Sequence, residues 1–415
     1  MNVIRNIFSE VYLKSPYNEP DLEKMQEFAS NYVPYYKPFK GSSFNEIPFL
    51  TREIIRNEFD KLKSDDISTR KYFEKTSGGS TGQPVKILQD IKYKKHQRYI
   101  TYQQKQWCGY TFGEPMIHLW GNERDILHST DKLSSKLLNK IKNLTILNAF
   151  IMSKNDMLNY IKTINRIQPR LLVSYVQPMF ELARFAKQEN LHINSPGAIM
   201  TSAGTLFDFI KSEIEEVFQC PVYNRYGTRE VGNIACSGIG HDELRISENN
   251  VFIEVIDEAG NHCEPGHEGE IIVTSLTNYA MPIIRYKIGD RGVLSDKHAF
   301  PSLQKISGRI TETFRNANDD IIPAEYFIHA IGVMLNKKLK WIKRFQVIQH
   351  SVDQIEVKIE SDQNHKKMPY INEIEDLIKK VMGAQCQITF TLLDKIPLLK
   401  SGKFAYAINQ MNNNS

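Results

Sequence analysis

Between residues 155 and 224 short apolar runs alternate with longer amphipathic ones, and this alternation constrains the fold more than any other feature of the chain. Asn155–Ile167 spaces its apolar side chains as a helix, Arg170–Val173 reads as a strand, and SYVQPMFELARFAKQEN returns to helical spacing. Ala198–Ser202 reads as a strand, Phe207–Phe218 as a helix, and Pro221–Asn224 as a strand running into YGTREVG. Strand and helix in such succession imply a mostly parallel sheet covered by helices. Sheets of that kind bind ligands at the carboxyl ends of their strands. Three loops, Thr76–Pro84, Ser202–Leu206 and Tyr226–Glu230, are each expected to follow a strand and so become candidate site loops.

The flanks read differently. Residues 1–70 are helical in pattern, interrupted at Asn31–Gly41 by proline and aromatic residues. Thr51 is the expected N-cap of a helix whose Phe49, Ile54, Ile55, Phe59 and Leu62 would face the core. VKILQD and Met116–Trp120 read as strands, with a polar, aromatic-rich helix over 90–108 between them. Beyond Gly232, VFIEVIDEAGN, GEIIVTSL and MPIIRYKIGDRGVL have an antiparallel pattern broken by turn residues, which predicts a smaller sheet or barrel-like subdomain. After Gly308–Arg309 a further α+β unit of about a hundred residues follows, a credible small domain. Its strands are KRFQVIQH, QIEVKIES and CQITFTLLD, and its helix is YINEIEDLIKKVMG.

Composition narrows the class. A chain of 415 residues, 41% hydrophobic and 24% charged, can bury a large core and is not a disordered chain. A net charge of +5 spread along the sequence does not argue for nucleic acid. The five cysteines are scattered and odd in number, as reduced thiols would be. The first twenty residues break their apolar runs with charge, and no apolar run approaches the ~20 residues that span a bilayer, so a cytoplasmic protein without membrane insertion is expected.

The stretch KTSGGSTGQP, Lys75–Pro84, interleaves hydroxyl residues with glycines. Glycine lets backbone N–H groups approach a phosphate chain, and the hydroxyls add donors, so the composition suits an anion-holding loop. Gln83 and Pro84 follow Gly82 where a Walker A loop requires lysine, which excludes that class.

The ordered set KTSGGSTGQP, TSAGTL, YGTRE, GEI, RYKIGDRG, SGR and PLLKSGK, spread over residues 75–403, resembles the motif series of the adenylate-forming superfamily of acyl-CoA synthetases. TSGGSTG, the segment VPYYKPF…IPFLTREIIRNEF and the form YGTRE are similar to the phenylacetate–CoA ligase family, particularly its capsule-biosynthesis branch. The resemblance implies an α/β protein: a large domain over 1–309 with helix-covered, mostly parallel sheets and the barrel-like subdomain, and a small mobile α+β domain over 310–415. It implies that Ser77, Gly78, Gly79, Ser80, Thr81 and Gly82 wrap the ATP phosphates. Ala203 and Gly204 would lie along the adenine, Tyr226 would stack on it in company with Gly227 and Thr228, and Glu230 would hold Mg²⁺. Asp290 would accept hydrogen bonds from both ribose hydroxyls, with Arg309 a second ribose or phosphate contact. Lys403 would neutralise the carboxylate and α-phosphate as they meet.

Arg229 stands where most of the superfamily has threonine, and its guanidinium is expected to reach the α-phosphate; Thr311 replaces the usual hinge residue after the GR pair. Some relatives in the family carry a Cys/His cluster, but here only Cys236, His241 and His298 remain, so zinc is not expected. Val173–Tyr175, Gln177, Ala203 and Trp107 are the expected acyl pocket, with no charge that would select a head group. The implied activity is ATP-dependent, AMP-forming activation of a carboxylic acid with CoA as acceptor. The alternative acceptor is an amine or hydroxyl on a surface-polysaccharide precursor. A nucleotide-binding scaffold without catalysis is disfavoured by the joint presence of Lys403, Asp290 and Glu230. Either a monomer or a homodimer is compatible with the sequence.

Overall fold

The computed structural model describes residues 13–76, 85–120, 133–149, 152–309, 313–318, 321–323, 327, 331, 341–361, 370–397 and 405–411. The chain divides into two compact units: Met1–Leu206, Ile210–Ile288 and Gly292–Lys305 in the first, and Phe207–Phe209, Gly289–Arg291 and Ile306–Ser415 in the second.

In the first unit, helices α1 (Leu22–Tyr32) and α2 (Arg52–Asn57) precede an antiparallel hairpin of β1 (Tyr72–Thr76) and β2 (Lys86–Asp90). Helix α3 (Ile91–Trp107) leads to β3 (Met116–Trp120), and α4 (Leu133–Ile141) to β4 (Leu144–Asn148). The alternation then runs through α5 (Lys154–Ile167), β5 (Leu171–Tyr175), α6 (Val176–Gln188), β6 (Ile199–Ser202), α7 (Asp208–Phe218) and β7 (Val222–Thr228). As the sequence implies, β4, β3, β5, β6 and β7 lie side by side and parallel. Leu171, Leu172 and Val173 are all buried, as a strand covered on both faces requires. Helix α6 buries Val176, Met179, Phe180, Ala183 and Ala186, a stripe three to four residues apart.

The antiparallel strands form where expected, but they do not make a separate sheet. β8 (Gly232–Gly238) pairs antiparallel with β7, β9 (His241–Ile246) with β8, and β13 (Ser302–Arg309) with β9. β12 (Tyr286–Ser295), β11 (Glu268–Ser275) and β10 (Val251–Ile256) complete an 11-stranded sheet continuous with the parallel strands. The register of β7 carries the sheet across: its first half pairs with β6 and its second half with β8.

Three local expectations change. The glycine loop follows β1, which among the described residues pairs only with β2, so the strand before it is not a parallel one. The helix capped by Thr51, whose Oγ1 accepts from Ile54 N at 3.2 Å, stops at Asn57. Ile55 and Leu62 are fully buried, but Phe49, Ile54 and Phe59 only partly, because so short a helix presents one narrow face. Leu50 takes the core position instead, exchanging backbone hydrogen bonds with Arg285 and Lys287. Finally, Met281–Ile284 are buried but not a strand: the Asn278 amide donates to the Leu88 and Met281 carbonyls.

In the second unit β14 (Thr313–Arg315) pairs with β15 (Ile321–Pro323). β16 (Arg344–Ser351) and β17 (Gln354–Glu360) form an antiparallel hairpin, extended by β18 (Gln387–Leu393) parallel to β17 and β19 (Ala407–Asn409) parallel to β16. Helix α8 (Ile371–Met382) makes the crossover and buries Ile374, Ile378 and Met382, one per turn.

Candidate active site

The carboxyl ends of β6 and β7 bring two of the candidate loops together. Thr201 pairs with Asn224, so Ser202 and Ala203 run beside Arg225 and Tyr226. Ala203 holds a positive φ of 59°, a conformation that costs a non-glycine residue roughly 1 kcal/mol and recurs at functional sites. Gly204 follows against α6: a Cβ there would lie 3.3 Å from Val176 Cβ. Tyr226, Gly227 and Thr228 lie within β7 and not in a loop after it, with a register shift between Tyr226 and Gly227. Only glycine fits at 227, because a Cβ would stand 2.5 Å from the Gly232 carbonyl oxygen. Thr228 Oγ1 accepts from Val231 N at 3.2 Å and closes the turn that carries Arg229 and Glu230.

Glu230 is buried. Arg52 Nη2 stands 3.7 Å from its Oε1, while Arg52 Nε donates to Tyr286 Oη at 3.2 Å. The carbonyls of Arg229 and Glu230 both accept from Gln89 Nε2 at 3.3 Å, tying the turn to β2. Lys75, at the end of β1, has its ammonium held below the ordinary lysine value by burial and then by Arg229, against an opposing pull from Glu230. The phenol of Tyr93 is pushed up by burial and then by the carboxylates of Asp90 and Glu230, and its Oη has no hydrogen-bond partner among the described residues. Glu230 is thus the acidic member of a group comprising Arg52, Lys75, Arg229 and Tyr93. Among the described residues no group of three His, Cys, Asp or Glu side chains could cage a metal. A single carboxylate does suit Mg²⁺, which is held largely by phosphate oxygens and water.

Asp290 is half-buried in β12, just after Gly289 at φ 83°. Ser77, Gly78, Gly79, Ser80, Thr81, Gly82, Thr311 and Lys403 lie outside the described residues, as does the side chain of Arg309. The flanks of the segment bearing Lys403 are pinned to the second unit's sheet: Ile396 N donates to Glu360 Oε2 at 2.9 Å, and Gln346 Nε2 to the Ala405 carbonyl at 2.8 Å.

Of the expected acyl pocket, Ser174 is fully buried, its hydroxyl donating to the Tyr175 carbonyl at 2.9 Å. The Tyr175 ring lies 4.0 Å from that of Trp120. Gln177 is engaged along α6, donating to Glu181 at 2.7 Å. Trp107 stands elsewhere. Its carbonyl accepts from Ile239 N at 2.8 Å, next to Gly238 at the far end of β8, and this places it at the amino ends of the parallel strands. The region is also not free of charge. Arg225 donates to Ser202 Oγ at 3.3 and 3.4 Å and sits over the Trp120 ring, and Lys105 Nζ lies 3.3 Å from His118 Nε2. In sequence, the one signal was alternation: Arg225 precedes Tyr226 in an extended strand and so faces the opposite side.

This architecture is the fold of the adenylate-forming ligases. The chain is similar to 2-hydroxyisobutyryl-CoA ligase, solved in a postadenylation state with an acyl-AMP, with a TM-score of 0.73 and 14% identity over 94% of this chain and 89% of that one. It is similar to the amide bond synthetase McbA from Marinactinospora thermotolerans, with a TM-score of 0.56 and 12% identity over 78% of this chain and 65% of that one. In sequence, residues 314–410 match the CapK C-terminal domain. Protein CapK of Staphylococcus aureus is 27% identical over 386 residues, 90% of this chain and 82% of that protein.

Proposed function

We propose that the chain is an ATP-dependent ligase that activates a carboxylic acid as its acyl-adenylate and passes the acyl group to the thiol of CoA. The observation that carries this reading is the convergence of Ser202–Gly204 and Tyr226–Glu230 at the carboxyl ends of β6 and β7, on a fold shared with ligases solved around acyl-AMP. A carboxylate oxygen attacks the α-phosphorus, the bond to pyrophosphate breaks, and the acyl-adenylate remains. A thiolate then attacks the acyl carbon and AMP leaves. Tyr226 offers its ring to the base, Asp290 its carboxylate to the ribose hydroxyls, and the loop from Ser77 to Gly82 its amides and hydroxyls to the phosphates. Mg²⁺ held by Glu230 would neutralise charge on the phosphates as pyrophosphate departs. Arg229 and Lys403 supply the fixed positive charge that lets two anions approach.

The likeness to CapK and to an amide bond synthetase supports a second reading, in which an amine or hydroxyl of a surface-polysaccharide precursor replaces CoA. Product analysis separates them. Incubation with ATP, a panel of acids and CoA should give AMP, pyrophosphate and a thioester. Amide or ester formed on an amino sugar without CoA would establish the second reading, and ADP with orthophosphate would overturn both.

A further inference from the structure

Two cations lie against the parallel strands, Lys105 buried and Arg225 half-buried, with no carboxylate beside them among the described residues. Arg225 leaves β7 on the face opposite Tyr226, its guanidinium 3.3 and 3.4 Å from Ser202 Oγ and 5.7 Å from the centre of the Trp120 ring. Lys105, 8% exposed on the last turn of α3, places Nζ 3.4 Å from Met116 Sδ and 3.3 Å from His118 Nε2. Among the described residues neither Arg225 nor Lys105 has an ion-pair partner.

The same unit shows how it satisfies a buried guanidinium that has only a structural part. Arg285 is clasped by Glu254 at 2.9 and 3.2 Å and donates to the Asn45 and Ile47 carbonyls at 2.6 and 2.8 Å. Among the described residues the half-buried Arg225 donates to one hydroxyl instead. Burial, and then Arg225 and Lys142, hold Lys105 down to about 7, while His118 is pushed far below its ordinary value by burial and then by Lys105. Uncompensated buried charge costs several kcal/mol in real proteins. Sites that keep it commonly do so because a ligand brings the opposite charge.

We propose that the acid this chain activates carries a second anionic group, received by Arg225 and Lys105, with its carbon chain against Trp120 and Tyr175. The inference rests on the adenylation reading for the fate of the first carboxylate. It replaces the expectation of a pocket with no preference for a charged head group.

The test uses the full chain and matched acids: succinate, glutarate, adipate and pimelate, each beside its monoamide, which keeps shape and removes the second charge. Carboxylate-dependent ATP–pyrophosphate exchange gives kcat/KM, and calorimetric titration of the same acids with α,β-methylene-ATP present gives binding without chemistry. For at least one pair the diacid should exceed its monoamide by roughly 10- to 100-fold. Arg225→Gln should lower kcat/KM for the diacid by more than for its monoamide and so remove most of that ratio, and Arg225→Lys should keep part of it. Exchange with monoamides equal to that with every diacid would overturn this inference and leave adenylation standing. Arg225-dependent diacid binding without exchange would overturn adenylation and leave the anion site standing. No preference in either measurement would overturn the inference outright, even if the Arg225 variants failed to fold, since the wild-type comparison alone decides it.

Discussion

Glu230 and Gly227 sit three residues apart and carry different burdens. Gly227 is a matter of space: a Cβ would stand 2.5 Å from the Gly232 carbonyl, so Gly227→Ala must spread β7 from β8. Urea denaturation should show a loss of about 1–3 kcal/mol, the usual cost of overpacking. Glu230 is a matter of charge. Glu230→Gln keeps the shape but leaves Arg52 and Lys75 without their carboxylate, and pyrophosphate exchange should fall about 100-fold or more with the fold retained. Lys105 adds a pH dependence with a definite sign. Between about 7 and its ordinary 10.5 the unfolded chain holds the proton and the folded chain does not, so stability rises with pH across that window, and below about 7 the whole burial penalty is felt. Lys105→Met should therefore stabilise the protein most at pH 6, with the gain shrinking by pH 9; a gain that grows with pH would contradict the burial argument. Of the Lys105, His118 and Arg225 cluster, strand alternation signalled the side that Arg225 faces but not the cluster itself, because Lys105 is one lysine in a polar helix and its neighbours come from β3 and β7.

At the scale of elements, α3 links the two regions. Its N-terminal turn places Tyr93 by the Glu230 turn, and its last turn places Lys105 by His118. Asp90 starts it, accepting from Tyr93 N at 2.6 Å and Tyr279 N at 3.1 Å while buried. Asp90→Ala loses two buried acceptor contacts, one of them the helix cap, and chemical denaturation should register roughly 2–4 kcal/mol, with Asp90→Asn recovering part. Helices and strands of this kind were legible because their pattern is local: α5, β5 and α6 appear within a residue or two of expectation. The continuity of the antiparallel strands with the parallel sheet was not, since it depends on β7 pairing with β6 along one half and β8 along the other. Helix α2 is shorter than its apolar spacing suggested, because Leu50 and Leu62 reach the core from outside it.

The whole molecule has two units, and under the proposed function two half-reactions share one adenylate. We propose that the small unit turns about Arg309–Glu312 between them, so that Thr311→Pro, which restricts φ and removes an N–H, should separate pyrophosphate exchange from acyl transfer. Equal loss of both activities in a folded variant would place the pivot elsewhere. The central claim is that a carboxylate of the substrate attacks the α-phosphorus of ATP, and isotope transfer tests it most directly. With the activated acid labelled with ¹⁸O in its carboxyl group, AMP released after acyl transfer should carry one labelled oxygen on phosphorus. Label found in orthophosphate, with ADP as the nucleotide product, would contradict the account.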